Sequence, residues 1–405
     1  MPSQLPDGDP VPADGSLPAA ALAGADRRSL SMYLHVPFCA TRCGYCDFNT
    51  YTAGELGSSA SPQSFYTAAL AEIDLAAAVL GVERQVATVF VGGGTPSLLG
   101  GELLTGLLEK VRATFGLAPG AEVTTEANPE STDPALLAQL RAAGYTRLSL
   151  GMQSSSPELL ATLDRRHTPG RAGQVVGWAR AAGFDHVNLD LIYGTPGETD
   201  ADFAASVRAA VDAGVDHVSA YSLIVEPGTA MARRVRTGEL TPATDDVLAD
   251  RYQLADDMLT AAGFDWYEVS NWARTAAARC RHNLAYWRGD DWWGIGPGAH
   301  SHVGGVRWWN VKHPHAYAAA LAAGRSPGHA REVLDEHARG DEQVLLRLRL
   351  AEGLPVALLP PAGHAQAAEE VANGLLDPAA LLAGTALLTG PGRLLADGIA
   401  LRLLS

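Results

Sequence analysis

Three of the chain's four cysteines form the pattern C-x3-C-x2-C, at Cys39, Cys43 and Cys46. Thiolates are the ligands of iron–sulfur clusters, and such clusters normally have four of them. Three closely spaced thiolates leave one iron of a [4Fe–4S] cluster without a protein ligand, so that iron can bind a substrate or cofactor. A zinc site or three ordinary buried cysteines are the alternatives. Zinc usually takes a fourth Cys or His at a matching spacing, and the nearby His35 lies in an apolar, strand-like run.

A second group of candidate residues lies at the ends of apolar, strand-like runs. The glycines Gly92–Gly94 follow one such run and would let a ligand approach the backbone closely, although a tight turn is the alternative. Glu126 and Gln153 each end a further run, and Asp190 lies inside another. A polar side chain in an apolar strand needs a partner. Several of them beside a cysteine motif therefore predict a binding site.

The third candidate region is rich in tryptophan and histidine. Seven of the eight Trp residues lie between Trp266 and Trp309, and five of the twelve His residues lie between His282 and His315. Aromatic rings and an imidazole could give haem a platform and an iron ligand, whereas a Trp-rich domain junction with solvated histidines is the alternative. In a helix, His282 and Tyr286 would share one face. Other histidines that could supply the iron ligand are His300, His302, His313 and His315.

The composition is typical of a globular protein and argues against nucleic-acid binding. The chain has 405 residues, 47% of them apolar, and a net charge of −15. Nucleic-acid binding needs clustered Lys and Arg, so the acidic balance argues against it. The cysteine usage indicates a metal site in a reducing compartment rather than a disulfide framework, and we expect Cys280 to be buried and inert. A run of about 18 uncharged apolar residues, as a transmembrane helix needs, is absent, so we expect a cytoplasmic protein.

Strand-like and helical runs alternate along the first part of the chain. The predicted strands are Ser31–Phe38, Thr88–Gly92, Glu122–Glu126, Arg147–Gln153, His186–Tyr193 and His217–Ile224. The predicted helices are Pro62–Leu80, Gly101–Phe115, Asp133–Ala143, Pro157–Asp164, Arg171–Ala182 and Asp200–Ala213. Alternation of this kind predicts an α/β fold with a parallel sheet. Six units are too few for a closed eight-stranded barrel, so we expect a partial, open (β/α)6 barrel with its chemistry at the C-terminal ends of the strands.

The chain divides into four predicted segments. Residues 1–27 are rich in Pro, Ala, Gly and Asp, which is typical of a disordered tail. The barrel is expected over 28–230, and the Trp- and His-rich segment over 231–310 connects it to the rest. Residues 311–405 have no metal or nucleotide motif. We expect a smaller α+β, winged-helix-like domain there.

Residues 33–226 resemble the radical S-adenosylmethionine (SAM) proteins, and especially the oxygen-independent coproporphyrinogen III oxidases and their relatives. The resemblance rests on the three cysteines, on Gly92-Gly93-Gly94-Thr95-Pro96 and on Asn188–Gly194. It implies a cluster whose open iron binds SAM and whose electron splits SAM to methionine and a 5′-deoxyadenosyl radical. The SAM site that it implies comprises Tyr33, Gly93, Gly94, Thr95, Glu126, Gln153, Arg165 and Asp190. Arg166 is the alternative to its neighbour Arg165.

One departure separates the chain from the oxidases. They carry a further cysteine where this sequence has Phe48. That departure, and the run His282-Asn283-Leu284-Ala285-Tyr286-Trp287, resemble the HemW haem-chaperone group instead, as do Tyr267–Trp272 and Gly294–Ser301. The resemblance implies that haem binds at His282, Asn283, Tyr286 and Trp287.

The resemblance also implies a function and its partners. The chain would bind haem and a SAM-ligated [4Fe–4S] cluster, take electrons from a donor protein, and transfer haem to an unidentified acceptor. Decarboxylation of coproporphyrinogen III is the first alternative, which Phe48 disfavours. Radical modification of haem is the second, because a cluster, SAM and haem would also suit it.

Overall fold

One large mixed sheet runs through the computed structural model, which describes residues 7–58, 60–165 and 167–405. Among these residues the sheet has twelve strands in the order β12-β11-β10-β9-β1-β2-β3-β4-β5-β6-β8-β7. Two further short strands, β13 and β14, pair separately. The strands are β1 (Leu30–Val36), β2 (Val86–Gly93), β3 (Leu117–Ala127), β4 (Arg147–Gln153), β5 (His186–Tyr193), β6 (His217–Ser222), β7 (Asp265–Glu268), β8 (Asn271–Ala273), β9 (Asp291–Ile295), β10 (His300–Val303), β11 (Val306–Asn310), β12 (Gly328–Val333), β13 (Leu354–Pro355) and β14 (Thr385–Ala386).

Helices connect and cover the strands. Within the described residues they are α1 (Ala19–Leu22), α2 (Ala53–Leu56), α3 (Pro62–Leu80), α4 (Gly100–Phe115), α5 (Pro134–Ala143), α6 (Pro157–Thr162), α7 (Arg171–Ala181), α8 (Asp200–Asp212), α9 (Ala230–Arg236), α10 (Asp245–Ala261), α11 (Arg281–Arg288), α12 (Pro314–Ala322), α13 (Glu336–Arg347), α14 (Pro361–Ala372), α15 (Pro378–Leu382), α16 (Gly390–Leu394) and α17 (Ala396–Leu404). None of these helices is both long and apolar enough to cross a membrane.

Strands β1 to β6 are parallel and neighbour one another in chain order. Parallel strands need crossover connections, and in a barrel the connecting helices cover the outer face of the sheet while its inner face lines the interior. Asp133 and Thr199 cap two of these helices, since their side chains accept hydrogen bonds from backbone N–H groups in the first turn. The predicted α/β class and partial six-unit barrel are confirmed. We call the C-terminal ends of these six strands the barrel mouth.

The segment predicted only to connect two domains extends both edges of this sheet. Strands β7 and β8 add antiparallel to β6. At the opposite edge β9 adds parallel to β1, and β10 and β11 continue antiparallel. Strand β12, which lies beyond residue 310, then pairs antiparallel with β11. Short Trp-rich strands that pair with distant parts of the chain leave no local periodicity by which sequence could place them.

A second core begins later than residue 311. Residues 314–333 supply α12 and β12, of which β12 joins the large sheet. A separate apolar core forms from α13 onward, and it includes Val344, Leu376 and Ile399. This smaller unit combines five helices with the paired two-residue strands β13 and β14 within the described residues. Its predicted winged-helix character stays a prediction.

Residues 7–27 differ from the disordered tail predicted for 1–27, of which residues 1–6 lie outside the described residues. Asp9 pairs with Arg331 on the outer edge of β12 through two backbone hydrogen bonds of 2.8 Å. Farther along, Ala21 is buried. At the other edge of the sheet Leu350 forms a bridge to Glu268 of β7. A segment of low complexity can thus be ordered by the edge that it covers, and composition alone does not reveal that edge.

Candidate cluster and cofactor site

The three cysteines of the motif lie on a loop, residues 37–52, that follows β1; we call it the cysteine loop. The backbone N–H of Cys39 donates to Tyr51 O at 3.0 Å, and that of Cys46 donates to Cys43 O at 3.2 Å. Gly44 is held between two neighbouring segments, since it donates to Leu163 O at 3.2 Å and its carbonyl accepts from the Met231 N–H at 2.8 Å. The three cysteine side chains are half-buried. The backbone is therefore fixed while the thiols remain accessible.

Two polar side chains point at these thiols. Thr95 Oγ1 lies 3.9 Å from Cys39 Sγ, and Arg165 Nη1 lies 3.5 Å from Cys43 Sγ. Arg165 Nε is buried and has no hydrogen-bond partner among the described residues. Burial raises the pKa of Cys39, and it raises that of Cys46 to about 11. Binding iron requires the thiolate form, and a nearby guanidinium favours that form.

This donor set fits an iron–sulfur cluster better than a single ion. Within the described part of the chain, no three His, Cys, Asp or Glu side chains converge closely enough to hold one metal ion. A cluster distributes its thiolates over several irons, so its ligands need not converge on one point. Three accessible thiols on one fixed loop, with a cation and a hydroxyl beside them, suit such a group.

The glycine run lies against the cysteine loop. The N–H groups of Gly93, Gly94 and Thr95 donate to Glu126 Oε2 at 3.0 Å, Val36 O at 2.8 Å and Phe38 O at 2.8 Å, respectively. A Cβ on Gly94 would lie 2.4 Å from Phe38 O, so no larger residue fits there. Gly93 has φ +109°, which side chains rarely adopt. These N–H groups already donate hydrogen bonds within the protein. The backbone carbonyls of the run are therefore the groups that could bind the ammonium of a ligand.

Gln153 and Arg165 converge over Gly151. The pairing of β4 with β5 shifts register between Gly151 and Gln153, and Gln153 has φ +65°, in the left-handed region. Such strain in a residue other than glycine is a mark of functional sites. A Cβ on Gly151 would lie 2.7 Å from both Arg165 Nη2 and Gln153 Nε2. The bulge thus brings an amide and a guanidinium together at the mouth; Arg166, the alternative to Arg165, lies outside the described residues.

Two carboxylates lie deep in the barrel yet remain partly accessible from its mouth. Asp190 accepts hydrogen bonds from Ser149 Oγ at 3.0 Å and from Asn188 Nδ2 at 2.7 Å. Burial, and then the charge of Asp190, raise the pKa of Glu126 to about 8; burial also raises that of Asp190. A cationic ligand beside two such carboxylates would favour their ionised forms and be favoured by them.

Tyr33 connects the mouth with the interior. Its hydroxyl donates to His35 Nδ1 at 3.0 Å, because His35 Nε2 donates to Asn49 O at 2.9 Å and this assigns the tautomer. The Tyr33 ring lies 6.2 Å from that of Phe90 and 6.4 Å from that of His282. The structure therefore brings the residues predicted for SAM to one end of the barrel. They are Tyr33, Gly93, Gly94, Thr95, Glu126, Gln153, Arg165 and Asp190.

Helix α11, which carries the predicted haem residues, lies nearer the N-terminal ends of the same strands. His282 is 1% exposed. Its Nδ1 lies 2.7 Å from Thr88 Oγ1 and its Nε2 lies 2.8 Å from the Tyr286 hydroxyl. The ring stacks on Phe90 at 5.1 Å, and burial lowers the pKa of His282 to about 4, so the imidazole is neutral. Both ring nitrogens of the predicted iron ligand are thus already hydrogen-bonded within the protein.

The other residues of α11 also face protein groups. Asn283 and Trp287 hydrogen-bond the carboxylate of Glu268, which is 2% exposed and also accepts from Asn271. Burial raises the pKa of Glu268 to about 7. All four residues predicted to bind haem therefore lie together on one helix, but they hold that helix against the barrel. We call His282, Asn283, Tyr286 and Trp287 the α11 cluster.

The remaining histidines and Cys280 occupy different surroundings. His302 is buried, and its ring nitrogens contact Asp290 O and the Gly305 N–H, both at 3.1 Å. His300 is half-buried and stacks on Trp309 at 5.9 Å, whereas His313 is exposed. His315 is exposed as well. Cys280 is buried as expected, and burial raises its pKa well above the usual range.

Sequence reasoning missed three residues that organise these sites. Asn49 ties the cysteine loop to a later loop, since its Nδ2 donates to Pro297 O at 2.9 Å and to Lys312 O at 2.8 Å. Glu268 holds α11, and Glu72 is buried beneath the segment around Gly296. Glu72 and Glu268 are acidic residues within apolar stretches of sequence, and this feature could have identified them. Asn49, in a polar loop, gave none.

The comparisons with known proteins agree with one another and together span nearly the whole chain. Residues 33–210 match the model of the radical SAM superfamily. The chain is 59% identical to the haem chaperone HemW of Mycobacterium tuberculosis over 95% of this chain and 97% of that protein. It is 40% identical to HemW of Escherichia coli over 68% of this chain and 70% of that protein. Coproporphyrinogen III oxidase (HemN) of E. coli has a similar fold, with a TM-score of 0.79, 24% identity and coverage of 96% and 94% of the two chains.

Proposed function

Because the chain belongs to the HemW family of radical SAM proteins, we propose that it is a haem chaperone that binds haem and transfers it to an acceptor protein. The observation that carries this proposal is the near full-length identity to a HemW together with an intact cysteine loop and mouth. The radical SAM family implies a [4Fe–4S] cluster and SAM as cofactors. When bound, this pair supplies one-electron chemistry.

We assign the cluster to Cys39, Cys43 and Cys46. Arg165 and Thr95 would stabilise thiolate charge, because each places a donor near a sulfur. The half-buried thiols make the cluster reachable by an electron-donor protein.

We assign SAM to the barrel mouth. The carbonyls of the glycine run suit its ammonium group, and the guanidinium of Arg165 with the amide of Gln153 suits its carboxylate. Glu126 and Asp190 would favour the positive charge of the sulfonium. These groups come from five different strands and loops, so only the folded barrel assembles them.

We propose the α11 cluster as the haem-contacting segment, with His282 as the iron ligand. Ligation requires an imidazole nitrogen with a free lone pair. In the structure Nε2 lies 2.8 Å from the Tyr286 hydroxyl, so haem binding must displace that hydroxyl. His300 or His313 would be the ligand if α11 does not move, since both are more accessible than His282.

The runner-up function is oxidative decarboxylation of coproporphyrinogen III. Phe48, which is 57% exposed, stands where the oxidases carry a further cysteine, and this disfavours it. The test uses anaerobically reconstituted protein. We expect haem binding with a Soret band at one haem per chain, and no vinyl product from coproporphyrinogen III with SAM and dithionite. Turnover of coproporphyrinogen, or failure to bind haem, would overturn the chaperone assignment.

A further inference from the structure

The loop Gly294–Gly298, whose first two residues are the last two of β9, lies directly against the cysteine loop and β1. Gly296 has φ +114°, and a Cβ there would lie 2.5 Å from His35 O. A Cβ on Gly298 would lie 2.6 Å from Asn49 Nδ2. The Asn49 amide also donates to Pro297 O at 2.9 Å. This glycine-rich loop therefore contacts the cysteine loop without a gap for any side chain.

The opposite side of this loop rests on one buried carboxylate. Glu72 of α3 has no exposed surface. It accepts hydrogen bonds from the Gly296 N–H at 2.8 Å, from Asn310 Nδ2 at 2.8 Å and from the Tyr317 hydroxyl at 2.5 Å. Asn310 also donates to Gly296 O at 2.9 Å, so both polar backbone groups of Gly296 are held.

Each of these partners of Glu72 is a neutral donor. Burying a carboxylate is costly unless donors satisfy its oxygens. A glutamine of the same shape would offer one acceptor and one NH2 group, and the NH2 group would face a donor. These donors favour the ionised carboxylate, whereas burial raises the pKa of Glu72 to about 7. Removing its second acceptor should loosen Gly296 rather than unfold the barrel.

We infer that Glu72 is a positioning residue for the cluster site, which it fixes by holding the loop Gly294–Gly298 against His35 and Asn49. His35 in turn accepts from the Tyr33 hydroxyl, and its ring lies 2.7 Å from where a Cβ of Gly93 would be. Glu72 itself lies behind this loop. It thus acts on the cluster and SAM residues only through its neighbours, and the inference rests on the proposed SAM site at the mouth.

The test compares Glu72→Gln with Glu370→Gln, a matched variant in which a fully buried glutamate of the C-terminal core is changed. After anaerobic reconstitution, iron content and the EPR signal of the reduced cluster are measured against SAM concentration. We expect Glu72→Gln to retain its cluster but to need roughly tenfold more SAM for half of the spectral change, equivalent to ~1.4 kcal/mol. Glu370→Gln should behave as wild type.

Amide hydrogen exchange of the protein without its cluster gives a second readout. Exchange over 46–51 and 294–298 should be faster in Glu72→Gln than in Glu370→Gln. If Glu72→Gln does not fold, Tyr317→Phe, which removes one donor, should show the same changes to a smaller extent. Unchanged exchange and SAM response would overturn the inference. If SAM does not change the EPR signal of the wild-type cluster, the proposed SAM site is wrong. Faster exchange in Glu72→Gln would in that case show that Glu72 holds the loop but has no effect on SAM.

Discussion

The two ends of the barrel differ in whether their polar groups already have hydrogen-bond partners within the protein. At the mouth, Arg165 leaves a buried Nε without a partner among the described residues, the cysteine thiols are half-buried, and Glu126 has a pKa raised to about 8. At the other end, both nitrogens of His282 and the hydroxyl of Tyr286 are hydrogen-bonded to each other or to the barrel. The mouth therefore has capacity for a ligand as it stands, whereas the α11 cluster must give up internal contacts to bind one.

A matched sequence motif can therefore mark either a site with polar groups left for a ligand or a cluster that is satisfied within the protein. Both motifs match the HemW pattern, yet only one has polar groups left for a partner. An internally satisfied cluster stabilises the fold in the absence of ligand, and a ligand must compete with those bonds. The following experiments, from the largest expected effect to the smallest, test that distinction.

The first experiment removes one thiol at each end. Cys39→Ser should abolish the broad visible absorption of the reconstituted cluster, because only three thiolates are available to hold it. Cys280→Ser should leave iron content and absorption unchanged, since that thiol is buried beside Glu122. Loss of iron in Cys280→Ser would place the fourth cysteine at the cluster and break the separation of the two ends.

The second experiment removes the centre of the α11 cluster. His282→Ala leaves the hydroxyls of Thr88 and Tyr286 without that imidazole, and each unsatisfied group costs ~1–3 kcal/mol. We expect a loss of about 2–4 kcal/mol in the free energy of unfolding of haem-free protein, measured by urea denaturation. His364→Ala, at an exposed position within α14, should change it by less than about 0.5 kcal/mol. Equal stabilities of the two variants would show that His282 is not structural.

The third experiment removes the hydroxyl that competes with haem for His282 and keeps the aromatic ring. Tyr286→Phe deletes the hydroxyl that occupies His282 Nε2 and retains the aromatic contact of 4.8 Å. We expect a stability loss of ~1 kcal/mol. We also expect haem affinity, followed by Soret titration, to rise severalfold because Nε2 no longer has a bond to give up. Weaker haem binding would instead mean that the Tyr286 hydroxyl contacts haem directly.

The fourth experiment concerns the pH dependence of stability. Burial raises the pKa of Glu268 to about 7, from an ordinary value of 4.5. Between those pH values the folded protein keeps a proton that the unfolded chain has lost, so stability falls as pH rises through this window. In Glu268→Gln the slope of unfolding free energy against pH should become shallower by the equivalent of up to about one bound proton. The exposed Glu55→Gln should leave the slope between pH 5 and 7 as in wild type, and a slope unaltered in Glu268→Gln would mean that Glu268 is charged in the fold.

Sequence predicted the parts of the fold that local pattern controls. The parallel strands and their helices follow from period and caps, and β4 and β5 begin and end where predicted. The mouth followed as well, because residues at the C-terminal ends of parallel strands must meet there. The contacts of His282 did not follow, since helical spacing shows which residues share a face but not what that face touches. Nor did the pairing of β9 with β1, which joins residues more than 250 positions apart.

An open barrel has two sheet edges, and uncovered edges are templates for pairing between molecules. In this protein the chain itself forms one isolated bridge at each edge, from Asp9 to Arg331 on β12 and from Leu350 to Glu268 on β7. Each bridge takes up backbone groups that the edge would otherwise offer to another molecule. The segments that carry these bridges, residues 7–27 and the chain after α13, are separate from those that form the mouth.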